Sequence, residues 1–230
     1  MTRTLTDDGS LTTPGSPQQL ALNYFTTNFP AITNVDSDTV REFVSSVYSL
    51  AVVYYSTGGD IWRDRTGWVG TTPPCGVQGS TPWVGVTCTD STINNLVLPV
   101  NDLIGQLPSE VRGLATLQSL ELPGNSLTGF FPEAISQMSN LTSLDLSENF
   151  LSGTIPASLG GDSNLQSLSL DLNQFIGTIP PEINQMINLQ RLDISGNSID
   201  GLMPLLALPS LGKLFECPSI LVDKSTNLNN

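Results

Sequence analysis

Between Ile93 and Pro204 the apolar and polar positions recur with a fixed step. Asn101, Asn125, Asn149, Asn173 and Asn197 stand 24 residues apart, and Leu98, Leu122, Leu146, Leu170 and Ile194 keep the same step. Two more columns run in register: Gly105, Gly129, Gly153, Gly177 and Gly201, then Pro108, Pro132, Pro156, Pro180 and Pro204. Within one period, Leu117-Gln118-Ser119-Leu120-Glu121-Leu122 alternates around Leu120 and Leu122. That alternation predicts a short strand with one face turned inward. The asparagine follows where the chain turns into the interior, and its amide is suited to pair buried backbone groups of neighbouring turns. Glycine then allows a tight bend at positive φ, and proline lies on the far side, where a missing N–H is tolerable. Ile135, Leu159 and Ile183 return apolar bulk to the core. One such turn cannot bury its own apolar face, so the turns must stack.

Upstream the period changes. Val40, Phe43, Val44, Val47, Leu50, Ala51 and Tyr54 fall at helical spacing behind the N-cap candidates Asp36, Ser37 and Asp38. Gly58-Gly59 reads as the stop of that helix; a phosphate loop is disfavoured because no Gly-Lys-Ser/Thr follows. Ser16 and Pro17 suit the N-cap and first position of a shorter helix. Downstream, Leu208, Leu211 and Leu214 continue the leucine spacing two residues early, and Leu214-Phe215-Glu216 reads as a shortened strand that closes the stack.

A leucine-patterned period of this length indicates a leucine-rich repeat. Ser152-Gly153-Thr154-Ile155-Pro156 and Ile176-Gly177-Thr178-Ile179-Pro180 resemble the S/T-G-x-I-P signature of the plant-type members of that family. The resemblance implies a second short sheet and extra twist. Leu103-Ile104-Gly105-Gln106-Leu107-Pro108 and Phe130-Phe131 depart mildly from the signature. Trp62, Gly67-Trp68, Cys75 and Trp83-Val84-Gly85-Val86-Thr87-Cys88 resemble the family's N-terminal cap, a tryptophan-rich loop closed by a disulfide and ending in W-x-G-V-x-C. Together with the Ser16–Leu22 segment, the cap and repeats also resemble leucine-rich-repeat proteins of diatom-like algae. The expected architecture is an α/β solenoid: a right-handed horseshoe of five 24-residue repeats with a helical, disulfide-closed N-terminal cap. Its expected parts are a flexible segment over 1–15, the helical extension and cap over 16–92, the solenoid over 93–217 and a polar tail over 218–230.

Eight basic against 21 acidic residues give a net charge of −13, with no histidine. That balance argues against nucleic acid and against docking on an anionic bilayer. Without histidine no Ser-His-Asp or Cys-His relay and no imidazole metal site can form. Three cysteines cannot make a tetrahedral thiolate zinc site either. Cys75 and Cys88 read as one disulfide, leaving Cys217 as a half-buried thiol. A disulfide points to an oxidising compartment, extracellular or lumenal. No apolar h-region follows Met1-Thr2-Arg3-Thr4, and the Phe43–Tyr55 stretch is too short and serine-interrupted to span a bilayer. Direct membrane insertion is therefore not expected of these segments.

The remaining strand positions line the concave face of a horseshoe. One column holds Asn95, Ser119, Ser143, Ser167 and Arg191; the next holds Val97, Glu121, Asp145, Ser169 and Asp193. Pro99, Pro123, Ser147, Asp171 and Ser195 follow, then Val100, Gly124, Glu148, Leu172 and Gly196. Glu121, Asp145, Glu148, Asp171, Asp193, Ser143, Ser169 and Arg191 are the candidate ligand-binding residues. The acidic column admits a solvated surface, a site for a basic peptide or protein, a calcium site, or a glycosidase-type carboxylate pair. The last needs an apolar pocket that serine and glycine neighbours do not build, and no compact D-x-D-x-D loop is present for calcium. No catalytic residue, metal site or cofactor is assigned.

The function expected is therefore non-catalytic recognition of a protein or peptide through the repeat surface. The alternative is a structural subunit held in a larger, membrane-associated or soluble assembly by its flank and N-terminal extension. Phe150 and Phe175 are assigned to the leucine column after each asparagine and Phe131 to the isoleucine column, with Phe130 exposed. Asn140-Leu141-Thr142 is a glycosylation sequon.

Overall fold

A computed structural model describes residues 13–29, 38–76, 80–161, 164–202, 213–215 and 220–221. The expected linker over 1–12, the cap candidates Asp36 and Ser37, Cys217 and the tail from Asp223 lie outside the described residues.

Two helices open the chain. Helix α1 spans Pro17–Asn28, with the Ser16 side chain accepting from the Gln19 N–H as its cap. Helix α2 spans Asp38–Ser56. The helical spacing foretold one apolar stripe, yet α2 is buried almost all round: Val47, Leu50, Ala51, Val52 and Val53 are fully inaccessible, and Ser46 and Ser49 are nearly so. The difference arises because α2 is clamped between α1 on one side and the first repeat turn on the other. Gly58, at φ 71°, ends the helical segment as expected.

The strands are β1 (Val86–Thr89), β2 (Thr92–Val97), β3 (Ile104–Gly105), β4 (Ser119–Glu121), β5 (Ser126–Phe130), β6 (Ser143–Asp145) and β7 (Phe150–Gly153). They continue with β8 (Ser167–Ser169), β9 (Gln174–Gly177), β10 (Arg191–Asp193), β11 (Ser198–Ile199), β12 (Gly201–Leu202), β13 (Lys213–Phe215) and β14 (Ile220–Leu221). One sheet has the order β1-β2-β4-β6-β8-β10-β13, and a flank sheet has the order β11-β9-β7-β5-β3. In the first, β1 and β2 form an antiparallel hairpin and every later pairing is parallel. The flank sheet is the second sheet that the plant-type signature implied. The early leucine spacing also resolves: Leu214 pairs in register with Leu192, so β13 joins the stack after a shortened step.

Between the sheets and the far side lies one continuous core. Leu120, Leu122, Leu144, Leu146, Leu168 and Leu170 are fully buried. Opposite the strands, short 3₁₀ turns over Ser109–Gly113, Glu133–Gln137, Ala157–Gly160 and Pro181–Gln185 each begin behind an extended proline. Each turn drops apolar bulk inward: Val111, Ile135 with Ala134, Leu159 and Ile183. Phe131 and Phe175 are buried as expected, but Phe150 is half exposed and Leu151 takes the core position instead. The core column lies two residues after each asparagine (Leu103, Leu127, Leu151, Phe175, Ile199), which puts Phe150 one residue out of register.

The asparagines form a ladder. Asn149 Oδ1 accepts from the Leu127 N–H at 3.0 Å, while its Nδ2 donates to the carbonyls of Leu122 (3.0 Å), Leu146 (3.2 Å) and Ser147 (2.9 Å). Asn125, Asn173 and Asn197 repeat the pattern. Asn101 reaches the cap instead, exchanging two hydrogen bonds with the Asp64 backbone. The cap itself is an aromatic stack: Trp62 and Trp68 ring centroids are 4.8 Å apart, and those of Trp68 and Trp83 are 5.0 Å apart. All three indole N–H groups donate to carbonyls, of Thr57, Val84 and Thr72, at 2.9 Å each. Cys75 and Cys88 are joined by a disulfide, with Cα atoms 5.7 Å apart. Among the described residues no helix is long and apolar enough to cross a membrane.

Candidate functional site

Parallel pairing carries each sequence column across the concave sheet as a physical row. Ser119, Ser143, Ser167 and Arg191 align, as do Glu121, Asp145, Ser169 and Asp193. Adjacent strands lie about 4.8 Å apart, so carboxylates in one row feel one another.

Hydrogen bonding splits the acids into two groups. Glu121 Oε1 accepts from the hydroxyls of Ser119 (2.7 Å) and Ser143 (3.3 Å). Asp145 Oδ1 accepts from the Ser147 N–H and hydroxyl at 3.0 and 2.6 Å, and Asp193 repeats this with Ser195 at 3.2 and 2.7 Å. Ser169 and Asp193 are buried, the least accessible of the candidate residues on this face. Glu148, by contrast, is exposed, and Asp171 is half-buried. Partial burial pushes the Asp171 carboxyl above the ordinary carboxylate range, and the negative fields of Asp193, Asp145 and Glu148 push it further. The candidate acids from β6 to β10 thus share one strongly negative patch. Arg191 is exposed at its C-terminal end.

One feature of this face escaped the sequence reading. Val100, Glu148 and Leu172 have φ of 49°, 53° and 52°, like Gly124 and Gly196 in the same column. The two glycines were the available signal. They also make room: a Cβ at Gly124 would stand 2.9 Å from Val100 Cγ2, and one at Gly196 would stand 2.6 Å from Leu172 Cδ2. Val100 and Leu172 are therefore exposed apolar steps beside the acidic patch, each laid over a glycine.

Known proteins fit this geometry. The sequence profile for the leucine-rich repeat matches residues 115–175, and a second leucine-rich-repeat profile matches residues 188–209. The BIR2 ectodomain from Arabidopsis thaliana is similar at 32% identity, over 60% of this chain and 76% of that one, with a TM-score of 0.56. A chain of the Arabidopsis thaliana BIR3–SERK2 complex is similar at 30% identity, over 68% of this chain and 86% of that one, with a TM-score of 0.57. The protein belongs to the plant-type leucine-rich-repeat family. A chain of the Arabidopsis receptor kinase HAESA complex with the peptide hormone IDA and the co-receptor SERK1 matches this leucine-rich-repeat protein at 33% identity and a TM-score of 0.58. That match covers 65% of this chain but 25% of the other. Comparison with curated protein sequences finds no match.

Within this family frame, the Asn140 sequon is exposed on the turn that leads into β6, its Nδ2 donating to the Ala115 carbonyl at 2.9 Å. Among the described residues no three carboxylate or thiol groups converge in a way that could hold a metal ion.

Proposed function

We propose that this plant-type repeat protein is a non-catalytic recognition module that takes a basic peptide or protein segment on its concave face, outside the cell. The observation carrying this reading is Asp171, a half-buried carboxyl that feels the negative fields of Asp193, Asp145 and Glu148. A lysine or arginine side chain laid across β6 to β10 would relieve that repulsion. Glu148, Asp171, Asp145 and Glu121 are the contact acids, Ser143 adds a hydroxyl beside Glu121, and Arg191 sets the far limit. The similar solved chains support the class of partner, since one belongs to a two-protein complex, BIR3 with SERK2, and the other to a complex with a peptide hormone and a co-receptor. The Cys75–Cys88 disulfide supports the extracellular placement.

The test is capture of an immobilised Lys/Arg-rich peptide pool by wild type and by Glu148→Lys with Asp171→Lys. Capture should fall by more than about ten-fold at unchanged thermal stability, because the reversed charges repel the same ligand. Unaltered capture by the double variant would sink the concave-face assignment.

A second reading, a subunit held permanently in a larger assembly, draws on the flank sheet. Ile104, Phe130, Phe150 and Ile176 are exposed there, a row of large apolar side chains that a partner would cover. Light scattering on the protein in native extract separates the readings: a free monomer counts against the fixed subunit.

A further inference from the structure

Away from both sheet faces, the start of α2, the disulfide and the tip of the β1–β2 hairpin enclose a cavity of about 340 Å³. Its walls are mostly apolar, formed by Phe43, Ile93, Pro74 and Cys75, with Glu42 and Asp90 also on the lining. Both of these acids are exposed, and neither has an ion-pair partner among the described residues. Ser46 also lines the cavity and is only 5% exposed. Its hydroxyl has no hydrogen-bond partner among the described residues, whereas the neighbouring Ser45 hydroxyl donates to the Gly113 carbonyl. Ser46 is thus a nearly buried side chain whose hydroxyl is left open to the cavity. The volume lies within the range of small-ligand sites, about 300–1,000 Å³.

We propose that this cavity binds an organic ammonium, a cation carried on an apolar body of about phenyl size. The apolar body fills the space against Phe43 and Ile93, the cation is held by Glu42 and Asp90, and the Ser46 hydroxyl gains the partner it lacks. Among the described residues the lining contains no lysine or arginine, so a carboxylate ligand would meet two like charges without compensation. A purely apolar ligand would leave Ser46 unpaired. The disulfide ties the Cys75 wall to the hairpin that carries Cys88, Asp90 and Ser91. The site is thus largely preformed, which lowers the ordering cost of binding.

The test uses the intact chain and three probes of one shape: phenethylammonium, 2-phenylethanol and 3-phenylpropanoate, titrated while methyl signals of Ile93 and Thr116 are followed by NMR. Phenethylammonium should bind with a millimolar Kd and shift both methyls, as suits so small a ligand. The alcohol should bind about ten-fold more weakly and the carboxylate not at all, given the size of screened charge pairs. Glu42→Gln with Asp90→Asn should remove that ten-fold preference while leaving affinity for the alcohol unchanged. Both positions are exposed, so the double variant should keep the wild-type unfolding temperature. Ser46→Ala should weaken all binding about three-fold, the loss of one neutral hydrogen bond. Acetyl-Phe-Lys-amide identifies the source of the cation: binding assigns it to a peptide side chain, and failure beside bound phenethylammonium assigns it to a free amine. Equal affinity for the three shapes overturns the proposal, as does absence of any shift at Ile93 and Thr116 up to about 10 mM, a bound set by the ligand's size.

Discussion

On the concave sheet, serines and carboxylates occupy the outward positions and bond to one another, as Ser147 does to Asp145 and Ser195 to Asp193. On the flank sheet, which grows from the same repeating turn, Phe130 and Phe150 face solvent at 77% and 50% exposure. The two surfaces are built over one interior. Asn149 serves both, pairing carbonyls beside the concave strands and the Leu127 N–H within the flank strand β5. What the repeat holds constant is therefore the inside. The outward positions are left free, and each sheet has spent that freedom differently.

The contrast between inside and outside is sharpest in two phenylalanines. Phe175 is fully buried and Phe150 half exposed. Phe175→Ala should cost about 3–5 kcal/mol in urea unfolding, as core aromatic truncations do, while Phe150→Ala should cost under about 1 kcal/mol. Comparable losses would erase the distinction between core column and outer surface. Next in size is the ladder. Asn149→Ala removes one acceptor and three donated bonds in the interior, and should cost about 3 kcal/mol through the backbone groups it strands. It should also raise hydrogen exchange at Leu127. A loss below about 1 kcal/mol would show that the sheets stand without their common rung.

The smallest effect lies on the concave face and depends on pH. The Asp171 carboxyl is held above its ordinary range in the folded chain, so the native state keeps a proton that the unfolded state releases. The group therefore opposes folding above its raised folded value, and the penalty fades as pH falls below the unfolded value of about 3.9. Asp171→Asn should stabilise the protein at pH 7 by about 0.5 kcal/mol, the scale of a screened surface interaction. The gain should vanish near pH 3. Thermal melts at the two pH values measure it, and a destabilised variant at pH 7 would contradict the repulsion.

Much of this was legible because the constraints are periodic. A buried asparagine amide tolerates no substitute that pairs the same four groups, so the Asn125 to Asn197 column stands out in the sequence. The Ser16 cap and the disulfide loop carried equally local signals. Phe150 misled because Phe150 and Leu151 are both apolar, and only the two-residue offset from Asn149 decides which one enters the core. Asp193 shows a second limit of reading by columns. It shares a row with Asp145, yet one is buried and the other half-exposed, a difference made by the neighbouring strand rather than by residue type. The near-complete burial of α2 was invisible for the same reason, since helical spacing records one partner and α2 has two. The cavity behind the disulfide is assembled from α2, the cap loop, the hairpin and Thr116, which no local pattern connects.

The reversal of β1 against β2 has a consequence for how such a protein can change length. A duplication that inserts one whole turn between β4 and β10 would find an asparagine rung above it and another below, and parallel neighbours on both sides. A turn inserted ahead of β1 would meet a strand running the wrong way, backed by a tryptophan stack that does not repeat. Length is thus adjustable along the body and fixed at the start, as on a ruler with a stop at its zero end.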